Sequence, residues 1–271
     1  MAATEERQDA GVGEETLAGL AAQLHEAERS REPIAPLTES HPELTVADAY
    51  RIQQLNVQRR KQGGALVRGR KIGLTSVAMQ QQLGVDEPDF GALFAEMILE
   101  EGDAIPLAEL IQPRVEAEIA FVMARELQGP GVSAADVLGA VAGALPAIEV
   151  IDSRVADWKI KLPDTIADNA SSARVVCGAR LTPVDGLDLR LLGMVLSVNG
   201  AVAATGAGAA VLGNPVRCIA WLANKLGEFG VPLRAGDLVI AGALHAALPV
   251  AAGDSVHAEF AELGAVTARF E

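Results

Sequence analysis

The sequence predicts an α+β protein, a roll of mixed and antiparallel β-sheet preceded by a small helical segment. Three observations carry this. Long helical periodicity sits before Gly63, and short strands with Gly-containing turns follow from Arg70 onward. The order of elements also lacks the regular βαβ alternation that a doubly wound parallel sheet needs.

The first helix is expected from about Glu14 to Arg29, with Leu17, Leu20, Ala21 and Leu24 at helical spacing. Pro33, Pro36 and Pro42 make the next stretch a loop. A second helix starts at Thr45, where Thr45-Val-Ala-Asp48 resembles a capping box, and Gly63-Gly64 stops it past Lys61. Lys71 to Ser76 reads as a strand leaving a Gly-rich turn, followed by a helix through Met79 to Leu83. Val115 to Met123 alternates as a strand should. Ser133 to Leu145 reads as a helix capped by Ser133, and Pro146 to Ile151 as a buried strand. Asn199-Gly200 between apolar runs signals a hairpin, because both residues accept the positive φ of a tight turn. Asn214-Pro215 opens a helix through Trp221 to Leu226. The remaining strands are joined by the turns Ala235-Gly-Asp237 and Ala252-Gly-Asp254. The expected organisation is a disordered tail over 1–13, a helical segment over 14–70 and a catalytic domain over 71–271.

Half of the 271 residues are apolar and only 3% are aromatic, so the core must be filled by Ala, Val, Leu and Ile. The formal net charge of −14 argues against nucleic acid, which demands a basic stripe to displace counterions. Arg59-Arg60-Lys61 with Arg68, Arg70 and Lys71 is too short and interrupted to be one. The longest apolar run, Val137 to Ile151, contains Pro146 and Glu149 and is too short to span a bilayer. Two cysteines, Cys177 and Cys218, and a start without a basic or apolar leader are read as a cytoplasmic protein.

The chemistry concentrates in Arg114-Val-Glu116-Ala-Glu118-Ile-Ala-Phe121. On a strand, Val115, Ala117, Ile119 and Phe121 share one face while Glu116 and Glu118 share the other. Adjacent carboxylates repel, and a divalent cation relieves that repulsion; a solvated strand face is the alternative. Glu149 lies inside the apolar run Ala144 to Asp152, where a carboxylate must be paired, protonated or metal-bound. An ion pair with Arg154 or Arg114 is the structural explanation; a metal held by Glu116, Glu118 and Glu149 is the functional one, and all-oxygen ligands favour Mg²⁺, Mn²⁺ or Ca²⁺ over zinc. Lys71 and Asp89 border strand and loop, where acid–base or carboxylate-binding groups sit well. Asp168, Asn169 and Ser171 read individually as turn formers. Gly206-Ala-Gly208 lacks the rest of a nucleotide loop. Of the four histidines, which show no ligand spacing, only His245 is placed to approach a site.

Lys71-Ile-Gly-Leu-Thr-Ser76, Pro88-Asp-Phe-Gly-Ala-Leu93, Val115 to Phe121, Ile148-Glu-Val-Ile-Asp-Ser153 and Ala167-Asp-Asn-Ala-Ser171 occur in the order found in 2-keto-4-pentenoate hydratases. The chain resembles that family and the related 4-oxalocrotonate decarboxylases of the fumarylacetoacetate hydrolase superfamily, from about the second helix to Phe270. The resemblance implies a roll of the fumarylacetoacetate hydrolase type. It implies Mg²⁺ or Mn²⁺ on Glu116, Glu118 and Glu149, Lys71 and Asp89 as catalytic residues, and substrate contacts from Lys71, Asp89, Ser171 and Lys159. The implied reaction is hydration of 2-hydroxypenta-2,4-dienoate to 4-hydroxy-2-oxopentanoate, with the decarboxylase or an acylpyruvate-type C–C hydrolase as alternatives. It also implies a small 2-oxo or enol acid substrate and a homo-oligomer, with a pathway enzyme as a further partner. A non-catalytic subunit that keeps the fold is the reading from another class.

Overall fold

The computed structural model describes residues 12–76, 80, 81 and 84–271. The tail expected over 1–13 lies almost entirely outside the described residues, as does most of the helix expected over Met79 to Leu83.

Helix α1, Glu14–Ser30, buries Leu17, Leu20, Ala21, Leu24 and Ala27, the stripe its spacing predicts. It ends at Arg31, whose left-handed backbone returns its N–H to the Ala27 carbonyl. A short helix α2, Leu37–Ser40, crosses the proline loop. Helix α3, Val46–Gln62, starts with the expected box: the Thr45 side chain accepts from Asp48 N–H, and the Asp48 carboxylate accepts from Thr45 N–H. α3 packs on α1 and is tied to the rest of the molecule by Gln53. That side-chain amide donates to Phe90 O at 2.9 Å and Ile166 O at 2.8 Å. Gln53 is buried, so these bonds hold helix and sheet in a fixed relation.

Two sheets follow. The larger contains β1 (Val67–Gly73), β2 (Asp89–Phe94), β3 (Ile98–Glu100), β5 (Arg114–Met123), β6 (Val141–Ile151), β7 (Ser172–Cys177), β10 (Leu238–Ala243) and β11 (Leu248–Pro249). Its order is β2-β1-β10-β5-β6-β7-β3, with β11 also on β5. The β1–β10 and β3–β7 pairs are parallel and the others antiparallel, so the sheet is mixed. The smaller sheet runs β4-β13-β12-β8-β9, formed by Ala104–Ile105, Gly264–Phe270, Ser255–Phe260, Gly193–Val198 and Ala201–Ala207. Asn199 and Gly200 both take positive φ, 51° and 81°, and join β8 to β9 as the hairpin signal requires.

Val115, Ala117, Ile119 and Phe121 of β5, with Ile148 and Val150 of β6, share one core with Val256, Val266 and Phe270 of the smaller sheet. The opposite face of β5 and β6 carries Ala120, Leu145 and Ala147, packed with Leu93, Phe94 and Ile240 in a second cluster. Both faces are covered. The alternation read from the sequence therefore separates two buried environments, and the solvated-face alternative for Glu116 and Glu118 does not hold.

Helix α4 spans only Ala134–Leu138, so the helix expected to reach Leu145 is corrected. Ser133 caps it as expected, but Gly139 ends it and Val141 to Leu145 belong to β6. Ladder pairing such as Ala144 with Phe121, with apolar packing on both faces, overrides a weak helix preference. Helix α5, Leu162–Ala167, and helix α6, Pro215–Glu228, complete the fold. The Asn214 side chain caps α6 by accepting from Val216 N–H.

Candidate active site

Register brings the carboxylates together. Glu116 and Glu149 are direct partners in the β5–β6 ladder, and Glu118 lies two residues along β5 on the same face. One oxygen from each of the three lies within 4.8 Å of the others. Glu118 and Glu149 are fully buried, while Glu116 is half-buried. Gly242 N–H donates to Glu118 Oε2 at 2.7 Å, and Ser172 Oγ donates to Glu149 Oε1 at 2.9 Å. Glu118 Oε1 and Glu149 Oε2 are left without a hydrogen-bond donor. Burial, reinforced by neighbouring carboxylates, pushes Glu118 well above the usual carboxylate range and Glu116 up to about 7.

Lys71, on β1, reaches this cluster. Its Nζ donates to Ala170 O at 3.0 Å and lies 3.3 Å from Glu149 Oε2, close enough for an ion pair though not in hydrogen-bond geometry. Burial works against the ammonium charge. The Glu149, Asp89, Glu116 and Glu118 carboxylates outweigh it and hold Lys71 above its ordinary value. The carbonyl that Lys71 grips belongs to a strained turn: Asn169, Ala170 and Ser171 have φ of 55°, 50° and 53°. Asn169 fixes that turn to β2, since its side chain accepts from Ala92 N–H and donates to Ala92 O.

Asp89, 1% exposed, begins β2 opposite Gly73. Its Oδ2 has only Thr165 Oγ1 at 3.5 Å and its Oδ1 has no donor, so burial raises its pKa despite Lys71. Lys71, Asp89, Glu116, Ser171, Arg114 and Trp158 are among the residues lining a cavity of about 520 Å³. The Arg114 guanidinium stacks on the Trp158 ring with Cζ 4.7 Å from its centroid.

The structure thus gathers Lys71, Asp89, Glu116, Glu118, Glu149 and Ser171. Lys159 does not join them: its ammonium is exposed and pairs with Asp157 at 2.9 Å. Asp157 and Trp158 both have left-handed backbones, so Trp158 and Ile160 line the cavity while Lys159 is carried outside it. The ion-pair partner of Glu149 is also corrected. It is Lys71, whereas Arg154 pairs with Asp168. Sequence reasoning missed Ser172 and Thr165, whose hydroxyls are indistinguishable from turn residues until the strand register is known. It singled out His245 as the one histidine able to approach a site, and His245 is among the residues lining the cavity.

Comparison with known proteins agrees with this geometry. Residues 67–271 match the model of the fumarylacetoacetate (FAA) hydrolase C-terminal family. The chain is 50% identical to the 2-keto-4-pentenoate hydratase of Paraburkholderia xenovorans LB400, over 92% of each chain. It is 47% identical to the 2-hydroxyhexa-2,4-dienoate hydratase of Comamonas testosteroni, over 91% of this chain and 94% of the relative. Among solved structures, the 4-oxalocrotonate decarboxylase of Pseudomonas putida G7, complexed with magnesium and adipate, superposes with a TM-score of 0.92. It is 41% identical, covering 96% of this chain and 99% of the other. With its carboxylate cluster set on the shared sheet, the chain belongs to the fumarylacetoacetate hydrolase superfamily, in the branch of the 2-keto-4-pentenoate hydratases and 4-oxalocrotonate decarboxylases.

Proposed function

We propose that the chain is a hydro-lyase that converts 2-hydroxypenta-2,4-dienoate, the enol of 2-keto-4-pentenoate, into 4-hydroxy-2-oxopentanoate. The observation that carries this is one cavity lined by Lys71, Asp89 and Glu116, with Glu118 and Glu149 buried close enough to Glu116 to form a three-carboxylate cluster. The hydratase relatives supply the substrate class.

The residues fit a divalent cation. Glu118 Oε1 and Glu149 Oε2 are buried acceptors without donors, and the all-oxygen donor set of Glu116, Glu118 and Glu149 suits Mg²⁺ or Mn²⁺. Such a cation, when bound, supplies Lewis-acid polarisation of a 2-oxygen and carboxylate and cancels the repulsion among the three glutamates. Lys71 stabilises the oxygen that becomes the ketone. Asp89, whose pKa burial raises, delivers its proton to C5 as the 2-hydroxyl proton leaves to solvent. The Asp89 carboxylate then takes a proton from the water that adds at C4, and C3 takes one from solvent. Ser171, which lines the same cavity, orients the acid. Sparse, unbridged cysteines support a cytoplasmic setting, and assembly of several copies, with or without a pathway enzyme, is part of this reading. No helix among the described residues is long and apolar enough to cross a membrane.

A second reading, decarboxylation of 2-oxo-3-hexenedioate, is favoured by Arg114. It stacks on Trp158 at the cavity wall and forms no ion pair among the described residues, leaving it free for a second carboxylate. Ultraviolet absorbance of freshly generated 2-hydroxypenta-2,4-dienoate tests the choice, with and without Mg²⁺ or Mn²⁺ and with product analysis. Metal-dependent loss of the dienol to 4-hydroxy-2-oxopentanoate, abolished in Glu116→Ala, is expected. Turnover of only the dicarboxylate, with CO₂ release, replaces hydration by decarboxylation.

A further inference from the structure

The β10–β5 ladder breaks beside the carboxylate cluster. Leu238, Val239 and Ile240 pair with Val122, Phe121 and Ala120, but pairing resumes only at Ala243 with Glu118. Two residues, Ala241 and Gly242, therefore oppose the single Ile119, as in a β-bulge, which bends a strand and re-aims its groups. Gly242 takes φ 106°, and a Cβ there would lie 2.1 Å from Thr75 Oγ1, so only glycine fits. The bulge turns the Gly242 N–H onto the Glu118 carboxylate, away from the β5 main chain.

The re-aimed strand leaves Ala117, the residue between Glu116 and Glu118, paired with Ile148 of β6 on one side but without a ladder partner on the β10 side. Ala117 O accepts from Leu244 N–H at 3.1 Å. The Ala117 N–H is taken by a side chain, donating to His245 Nε2 at 2.9 Å, while His245 Nδ1 lies 2.7 Å from Ala246 O. These partners fix the tautomer. Nε2 must accept from an amide, so Nδ1 carries the proton and donates to the Ala246 carbonyl. Ala117 is fully buried, and without the imidazole its N–H has no acceptor.

We infer that His245 is a positioning residue that replaces a missing strand partner and sets the main chain between Glu116 and Glu118 at the spacing a divalent cation needs. It neither ligates the cation nor moves a proton. It acts as an outer-shell group does, by orienting the ligands. The inference rests on the metal reading above.

The test is Mn²⁺ affinity by calorimetry on the full chain, beside thermal unfolding in EDTA and steady-state kinetics. His245→Ala is expected to bind Mn²⁺ about tenfold more weakly or worse, the lower end for loss of an outer-shell partner. His245→Gln restores most of that affinity, because its amide oxygen reaches the Ala117 N–H; His245→Asn, one carbon shorter, does not. If the alanine variant does not fold, the Gln–Asn comparison decides. Wild-type affinity in His245→Ala or His245→Asn, with only the unfolding temperature lowered, overturns the inference and leaves the metal site intact. Absence of Mn²⁺ binding in the wild type instead overturns the metal reading, and this inference with it.

Discussion

Asp89 stands directly across the β1–β2 ladder from Gly73, and its Oδ1 fills the space a Cβ on that glycine would need, 2.1 Å from the Cβ position. Beyond the Asp89 carboxyl, the nearest atom to that position is Lys71 Nζ, at 3.5 Å. Gly73→Ala is therefore expected to displace the Asp89 carboxyl while sparing the glutamates on β5 and β6. Misplacing a reacting group by about 1 Å costs on the order of 100-fold in rate. Kinetics should show a kcat loss of that order with Mn²⁺ affinity retained. Near wild-type turnover would remove Asp89 from the proton-transfer role.

At the proposed metal site, Lys71 and a cation would compete for the same Glu149. Replacing Lys71 by Met removes the ammonium 3.3 Å from Glu149 Oε2 and leaves that carboxylate uncompensated. Breaking a buried pair from one side costs about 3–5 kcal/mol. In EDTA the variant should melt well below the wild type, and saturating Mn²⁺ should recover most of the difference. Calorimetry should find Mn²⁺ binding tighter and turnover lost. Weaker metal binding in Lys71→Met would mean that the lysine supports the cage.

Protons compete for the cage as well. The Glu116 carboxyl is raised to about 7, by burial first, with Glu149 and Asp89 adding to it against Lys71. A carboxyl whose folded pKa exceeds its unfolded value of 4.5 gains stability from being protonated, so this part of the metal-free protein's stability is lost as pH rises from about 4.5 through 7. A cation needs the ionised form, so its affinity changes the other way and climbs through the same window. The difference in unfolding temperature between Mg²⁺ and EDTA should therefore widen from pH 6 to pH 8. A constant difference across that range would place the ligands elsewhere.

Arg114 separates the two candidate substrates. Neutralising it as Arg114→Gln should raise KM for a dicarboxylate far more than for 2-hydroxypenta-2,4-dienoate, since the guanidinium on Trp158 is the cavity's cation outside the Lys71–Glu149 pair. Loss of a charge-assisted hydrogen bond is worth about 1.5–3 kcal/mol, roughly a 10- to 100-fold change. Equal effects on both substrates would assign Arg114 to the carboxylate they share.

Much of the site was legible because strand alternation is a local property. Glu116 and Glu118 share a face by spacing alone, and a carboxylate inside the run around Glu149 announces a buried demand for charge. Their pairing was not legible, because Glu116 meets Glu149 only through a register set by long-range packing. The parallel β1–β10 pair that places Lys71 joins segments too distant for any periodicity to connect. The helix read past Leu138 failed where apolar residues without clear alternation suit a strand covered on both faces. Lys159 lies outside the cavity for a different reason. The left-handed backbones at Asp157 and Trp158 reverse which side chains enter the cavity, and nothing in those residue types signals it.

The three glutamates lie on the two strands at the middle of the larger sheet, whereas Asp89 opens β2, the strand at its margin with β1 as its one partner. Main-chain amides of β5 and β6 should therefore exchange with deuterium only when the whole molecule unfolds, and those of β2 through smaller, more frequent openings. On warming, the protein loaded with a cation at the proposed site should pass through a state that still holds the ion but has lost the aspartate from beside it. Inactivation would then precede release of the ion.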